Sequence, residues 1–183
     1  GGGQMSALIR EAATPAEFLA GSTLIARGWK RSYPGFVPGD YLEEVCTDDH
    51  WVDFLRSCHA ADRSHTLMAW EGDVPMAVCA FGPGGIDLPH AARAQNCAGM
   101  AEIYTFYANV DHLGGGYGSA LMEAALVQLR ADGWPAAFLM AMKEADGARR
   151  FYERHGFAWD GTSKLIPFPH NMVCTDLRYV QKL

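Results

Sequence analysis

Four glycines crowd one short turn in the middle of the chain: Gly114, Gly115, Gly116 and Gly118. The turn follows a run rich in aromatic residues and precedes a helical pattern, so it leads from a strand into a helix. Backbone N–H groups at the start of a helix have no partner within it, and the helix dipole makes that end positive. The turn therefore predicts a site for a phosphate group, although four glycines can also serve only to make a tight turn.

Two common phosphate-binding motifs fit this turn poorly. A P-loop ends in Gly-Lys-Ser/Thr, whereas Gly118-Ser119 brings no lysine to reach the terminal phosphates, and this excludes a P-loop NTPase. A Rossmann motif needs a third glycine, where this chain has Ser119, and an acidic residue about 20 positions later, where residues 133–137 have none. A dinucleotide site stays open as the less supported alternative.

Composition and charge narrow the possible partners. The chain has 183 residues, of which 49% are hydrophobic and 20% charged, and this is enough apolar surface for one folded domain. Its net charge of −6 gives no general attraction for nucleic acid or anionic membranes. The longest apolar runs, such as Ala136–Met142, are too short to cross a bilayer. We expect a cytoplasmic protein with neither nucleic acid nor a membrane as partner.

Residues 5–183 are expected to form one domain, and Gly1–Gln4, which precede Met5, to be a cloning remnant or an unstructured tail. The seven histidines and five cysteines show no metal-ligand spacing and no C-x-x-C pair, so we expect no metal site and no disulfide framework. Cys97 and His90 share one long segment and leave a Cys–His nucleophile open, with packing or solvent exposure as the simpler alternative.

Periodicity and turn residues predict a mixed order of strands and helices. The predicted strands are Ala7–Arg10, His65–Trp70, Val74–Phe81, Ile103–Val110, Pro135–Met142, Phe157–Asp160 and Met172–Val180. The predicted helices are Pro15–Arg31, Tyr41–Cys46, Asp49–Ala60, the helix from the glycine turn to Asp132-Gly133, and Asp146–His155. We expect Asp146 to cap the last helix, and Gly82–Gly99 and Thr162–His170 to be loops. A hairpin followed by strand–helix–strand–helix and two closing strands predicts an α/β domain with a mixed sheet.

Two motifs of the chain resemble the GNAT superfamily of N-acetyltransferases. The cofactor loop of that family reads [Gln/Arg]-x-x-Gly-x-[Gly/Ala], and Leu113–Gly118 supplies both glycines at this spacing. The family's second signature, Ala-x-x-Phe-Tyr-Glu-x-x-Gly-Phe, matches Ala148–Phe157. The resemblance implies a mostly antiparallel sheet of about seven strands flanked by helices. It also implies acetyl-CoA as cofactor and an amine acceptor, and it allows a homodimer.

The resemblance places the cofactor on two stretches of this chain. Main-chain groups at a bulge of the fourth strand would bind the acyl end and the pantetheine arm, and these correspond to Phe106, Tyr107 and Ala108. The glycine turn would bind the pyrophosphate through its backbone N–H groups. Its residues are Leu113, Gly114, Gly115, Gly116, Tyr117, Gly118 and Ser119.

Catalytic and acceptor-binding roles also follow from the resemblance. Tyr152 corresponds to the general acid that protonates the departing thiolate, with an ordinary core aromatic as the alternative. Glu102 corresponds to a general base that acts directly or through water, with a solvated strand-end charge as the alternative. Trp29, Tyr33 and Phe36 correspond to the floor of an acceptor pocket, with simple loop packing as the alternative.

Three positions depart from the family pattern. Leu113 stands where Gln or Arg is usual, Gly115 where a basic residue is common, and Ala145 where many members carry a cofactor-contacting asparagine. The main hypothesis is an acetyl-CoA-dependent N-acetyltransferase, which acts by direct attack in a ternary complex on a primary amine of a small molecule or peptide. The departures keep open a CoA-binding sensor or inactive paralogue, and transfer of a longer acyl group is a further alternative.

Overall fold

The structure, a computed structural model, describes residues 7–85, 97 and 99–183. The strands are β1 Leu8–Glu11, β2 His65–Glu71, β3 Val74–Pro83, β4 Ala101–Ala108, β5 Ala136–Met142, β6 Ala158–Pro167 and β7 Val173–Lys182. The helices are α1 Pro15–Ser32, α2 Gly39–Val45, α3 Val52–Ala60, α4 Tyr117–Ala131 and α5 Asp146–Arg154. The expected tail Gly1–Gln4 and His90 of the possible Cys–His pair lie outside the described residues.

The seven strands form one sheet in the order β1-β2-β3-β4-β5-β7-β6. Neighbouring strands are antiparallel except for β4 and β5, which are parallel. The parallel pair follows from the connection through α4, because a helical crossover brings the chain back in the same direction. The predicted mixed, mostly antiparallel sheet with flanking helices is confirmed.

Helices cover both faces of the sheet. On one face, α4 buries Leu121 and Leu126 in a cluster with Leu139 of β5. On the other face, α1 and α3 bury Ile25 and Leu55 against β2 and β3. An amphipathic helix gains most of its stability from such a buried stripe, so the sheet and its two helical layers depend on each other.

The end of β4 and the length of β6 differ from the sequence prediction. β4 ends at Ala108, because the Asn109 side chain turns the chain: its Oδ1 accepts the Asp111 N–H at 2.9 Å. β6 continues to Pro167 through most of the expected loop, because it pairs with β7 as far as the Pro167–Val173 partners. The predicted loop at Thr162–His170 is therefore wrong, and most of it is strand.

The start of α5 also differs from the prediction. Asp146 is the first residue of the helix, and Ala145 is the N-cap without a side-chain capping hydrogen bond. The predicted cap at Asp146 is therefore wrong. The carboxylate still lies in the first helical turn, where it interacts favourably with the positive end of the helix.

No helix of the described ranges has both the length and the apolar character needed to span a membrane. Within the same ranges, no group of three or more His, Cys, Asp or Glu side chains could hold a metal ion.

Helix α1 crosses β4 at Gly28. A Cβ atom at this position would lie 2.1 Å from Cδ1 of Tyr107, far inside van der Waals contact. The absence of a side chain therefore lets the helix press directly on the Tyr107 ring and hold it in place.

We expect Gly28→Ala to destabilise the fold by about 1–3 kcal/mol, because the added methyl group overlaps a ring that cannot move freely. Gly39→Ala is the matched control, since a Cβ at Gly39 meets nothing within 4 Å. Urea unfolding of both variants measures the difference. Equal stability of the two variants would contradict the close approach.

Candidate active site

β4 and β5 diverge soon after they begin to pair. They are joined only at Ala101–Ala137 and Glu102–Phe138, after which β4 stays with β3 and β5 stays with β7. A cavity of about 180 Å³ lies where they separate. It is lined by Trp29, Tyr33, Trp51, Phe54, Ile103–Tyr107, Leu139–Met142, Ala145, Ala148 and Tyr152. Because the facing strand edges no longer pair with each other, their main-chain groups are available to a ligand.

The bulge of β4 lies earlier than the resemblance implied. The register with β3 shifts between Ala80 and Phe81, which leaves Tyr104 as the extra residue of β4. The Tyr104 hydroxyl donates to the Pro83 carbonyl at 2.6 Å, and this bond holds the extra residue against the end of β3. The expected bulge at residues 106–108 is therefore wrong, although residues 106 and 107 line the cavity.

Residues 106–108 take three different positions. The Phe106 ring packs on Phe151 of α5, with ring centroids 5.1 Å apart. Tyr107 packs under Gly28 of α1, on the other face of the sheet. Ala108 pairs with β3 and does not line the cavity. Two of the three predicted residues, Phe106 and Tyr107, therefore line the cavity.

The glycine turn has a row of N–H groups with no acceptor among the described residues. Gly114 and Gly116 have φ values of +85° and +84°, a region that favours glycine. Gly116 is the N-cap of α4 and offers no side chain for capping, and the first helical bond runs from the Ala120 N–H to its carbonyl. In the part of the chain that the structure describes, the N–H groups of residues 113–119 donate to no acceptor. The turn thus has the donors and the dipole that an anion requires.

The turn is adjacent to the cavity between the strands. A Cβ atom at Gly118 would lie 3.6 Å from the Phe106 ring and 3.8 Å from the Phe151 ring. Since Phe106 also lines the cavity, one ring borders both the turn and the cavity, and the two places are neighbours.

Side chains around the turn are held by neighbouring elements. Ser119 Oγ lies 3.1 Å from His155 Nε2, whose Nδ1 lies 2.7 Å from Oε1 of Glu123. Tyr117 donates its hydroxyl to Glu71 at 3.3 Å. His155 was not predicted as a site residue, because it occupies a variable position of the second signature and only the packing of α5 on α4 brings it to Ser119.

Tyr152 reaches the cavity from α5. Burial raises the pKa of its phenol well above the ordinary value, so the group stays protonated at neutral pH. Its hydroxyl makes no hydrogen bond to any residue in the described ranges. The helix that carries it is fixed to β7, because the Arg149 guanidinium donates to the Tyr179 hydroxyl at 2.9 Å. Tyr152 is therefore a neutral phenol on a helix that is held in place.

Glu102 lies at the closed end of the divergence and does not line the cavity itself. Its residue is only 5% exposed, and its carboxylate accepts the Gly85 N–H at 3.1 Å. Burial raises its pKa to about 7, and the hydrogen bond from Gly85 opposes this only in part. The alternative of a solvated strand-end charge is wrong, because the side chain is buried. A carboxyl with this pKa can exchange a proton near neutral pH.

Two of the three predicted acceptor residues line the cavity. Trp29 and Tyr33 stand at the end of α1 with ring centroids 4.6 Å apart, and the Tyr33 and Tyr107 hydroxyls lie 3.4 Å apart. The third, Phe36, is 39% exposed and does not line the cavity. Trp51 completes the aromatic wall, with its ring 5.6 Å from Trp29.

A second cavity of about 90 Å³ shares the side chains of Trp29, Tyr33 and Met142 with the first. Its remaining lining residues are Val37, Ile166, Phe168, Cys174 and Asp176. Asp176 was not predicted as a site residue. Its position in the last predicted strand could have indicated it, because it follows Cys174 by two residues and therefore lies on the same face.

Comparison with protein families gives a match over most of this architecture. The model described as the acetyltransferase (GNAT) family matches residues 26–157, which is more than half of the chain. The matched range includes the glycine turn and the whole second signature. No curated protein sequence matches the chain significantly.

Several solved structures share the fold. The PaiA N-acetyltransferase of Thermoplasma acidophilum, solved in complex with coenzyme A, is 17% identical, with 98% of this chain and 100% of that chain covered and a TM-score of 0.70. The putative acetyltransferase YncA of Salmonella typhimurium, solved with acetyl-CoA, is 14% identical, with 98% and 95% covered and a TM-score of 0.72. The ribosomal-protein-alanine N-acetyltransferase of Brucella melitensis is 16% identical, with 96% and 99% covered and a TM-score of 0.73.

At these identities the solved structures establish the fold, whereas the family model covers the sequence motifs themselves. With the parallel strand pair, the glycine turn and the second signature all in the matched range, the chain belongs to the GNAT acetyltransferase family.

Proposed function

We propose that the chain transfers the acetyl group of acetyl-CoA to a primary amine of a small molecule or peptide by direct attack in a ternary complex. The observation that carries this proposal is the position of the Tyr152 phenol in a cavity that adjoins the glycine turn, with neither the phenol nor the N–H groups of the turn bonded to any described residue. Acetyl-CoA, when bound, supplies the thioester that serves as acyl donor.

The residues present fit a bound CoA through the main chain rather than through charged side chains. The N–H groups of residues 113–119 have no acceptor in the described part of the chain and would hold the pyrophosphate. The separated edges of β4 and β5 would hold the pantetheine arm. Leu113, Gly115 and Ala145 supply neither a cation nor an amide, so the backbone donors and the dipole of α4 must provide the binding.

The proposed chemistry assigns one proton transfer to each end of the cavity. Tyr152 donates its proton to the departing thiolate, because burial keeps the phenol neutral and its hydroxyl makes no competing bond in the described residues. Glu102 takes the proton of the attacking amine through water, since it lies behind the cavity wall and its pKa is near neutral. Trp29 and Tyr33 exclude bulk water from the acceptor side.

A CoA-binding sensor is the second candidate, favoured by the absence of basic side chains in the turn. Thiol release from acetyl-CoA with a panel of amines separates the two functions. We expect release with at least one primary amine. Thermal stabilisation by CoA without release on any amine would favour the sensor.

We expect Tyr152→Phe to lower kcat by about 100-fold, because the thiolate loses its proton donor while the ring stays in place. The affinity for CoA should stay within about twofold of the wild type, since no bond to the described protein is removed. Steady-state kinetics and calorimetric titration with CoA measure the two quantities. An unchanged kcat would assign the proton transfer to water.

For Glu102, the expected signature is a pH profile. The base acts when ionised, so kcat/KM of the wild type should rise with pH through about 7, and Glu102→Gln should lower and flatten the profile. An identical profile in the variant would remove Glu102 from the reaction.

The unfolding free energy of the same variant, relative to wild type, should also depend on pH. Because the folded pKa lies above the ordinary value of 4.5, ionisation of buried Glu102 weakens the fold as pH rises from about 4.5 through about 7. The unfolding free energy of Glu102→Gln relative to wild type should therefore increase between pH 5 and pH 8, by at most about 3 kcal/mol.

A basic residue restored to the turn should strengthen CoA binding. Leu113 is 48% exposed, and we expect Leu113→Arg to raise the affinity about two- to fivefold, with the gain shrinking at high salt. Val127→Arg is the matched control, because Val127 is 61% exposed near the other end of α4 and adds the same charge away from the turn. Equal effects of the two variants would contradict a phosphate site at the turn.

A further inference from the structure

We propose that Asp176, with the aromatic side chains of Trp29, Tyr33 and Phe168, forms a subsite for a second cationic group of the acceptor, so that the preferred acceptors are short diamines. This inference rests on the proposed function, because it names the class of acceptor for the same site.

The subsite is the second cavity, of about 90 Å³. It adjoins the larger cavity, because Trp29, Tyr33 and Met142 line both. Trp29 and Tyr33 also stand beside the cavity that holds the Tyr152 phenol. A ligand that reaches both cavities therefore needs only a short chain between its two ends.

Asp176 is the carboxylate among the lining residues of this cavity. In the ranges that the structure describes, its side chain accepts no hydrogen bond from a side chain or a backbone N–H. Burial and the nearby Glu144 raise its pKa to about 6, and Lys164, its partner across β6 and β7, opposes this. The group is thus largely ionised above pH 7 but poorly solvated, and a cationic ligand would relieve that cost.

The aromatic side chains favour the same kind of ligand. Trp29, Tyr33 and Phe168 line the cavity together with the carboxylate. Aromatic rings attract ammonium groups through their quadrupole, most strongly when the ammonium is removed from water. A cavity whose described lining residues combine a carboxylate with aromatic side chains therefore selects a cation with a carbon chain, rather than an anion or a polar neutral group.

The two cavities make opposite demands on an amine. An amine that attacks the thioester must be neutral, and the cavity beside Tyr152 has no carboxylate among its described lining residues to hold the amine protonated. The cavity with Asp176 stabilises the protonated form instead. One amine cannot satisfy both requirements at once, so two amines joined by a short chain fit the pair of cavities better than one.

The test compares two amines of equal carbon chain, trimethylenediamine and propylamine, as acceptors. Thiol release from acetyl-CoA is measured for each with the full chain at about pH 7.5, where both amines are protonated in solution. Propylamine can place its one nitrogen either at the thioester or at Asp176, so we expect kcat/KM to be at least about tenfold higher for the diamine, as a charge-assisted hydrogen bond would provide. Equal kcat/KM values in the wild type would overturn the proposal without any variant.

Asp176→Asn should bring the ratio of the two kcat/KM values close to one, because it keeps the size of the side chain and removes its charge. Glu144→Gln is the matched control, since it removes a nearby negative charge that does not line the cavity, and it should keep the preference. A preference that persists in folded Asp176→Asn, with a melting temperature near that of the wild type, would overturn the proposal.

Failure of the subsite and failure of the proposed function give different results. Thiol release from acetyl-CoA with propylamine but no preference for the diamine in kcat/KM would overturn the subsite and leave the acetyltransferase. Calorimetric binding of either amine to the CoA-saturated chain that Asp176→Asn weakens at least about tenfold, without thiol release on either amine, would support the subsite and contradict the enzymatic function.

Discussion

Two residue pairs join β4 to β5, and the site depends on the divergence that follows them. Each strand keeps its other neighbour, so the sheet stays continuous while a gap opens between the two. The strands are parallel, and α4 begins just past the end of β4. The gap, the glycine turn and the positive end of α4 therefore lie at the same edge of the sheet, where ligands of α/β proteins commonly bind.

Helices on the two faces complete the gap from opposite sides. α1 can approach β4 only because Gly28 has no side chain. The last turn of α1 and its C-cap then place Trp29 and Tyr33 over the gap. α5 contributes Tyr152 from the other face and is fixed to β7 through Arg149. Aromatic and apolar residues therefore make up most of the cavity wall.

Burial raises the pKa values of the ionisable groups in this region. The Tyr152 phenol is kept neutral, while Glu102 and Asp176 have pKa values raised to about 7 and about 6. The two carboxyls lie along β5 at different depths, one beside Phe138 near its start and the other beside Met142 at its end. Desolvation is the largest cause in each case, so the pKa values of these groups depend on burial more than on pairing with opposite charges.

The sequence by itself determined the features that depend on local spacing. The order of elements follows from periodicity, and Leu113–Gly118 and Ala148–Phe157 carry the family resemblance because glycine conformation and helix signatures are properties of short segments. Only the tertiary structure decided the bulge at Tyr104, the burial of Glu102 and the placement of Asp176 in a cavity with Trp29. These depend on which side chains distant segments bring together, and no local pattern records the desolvation that such contacts produce.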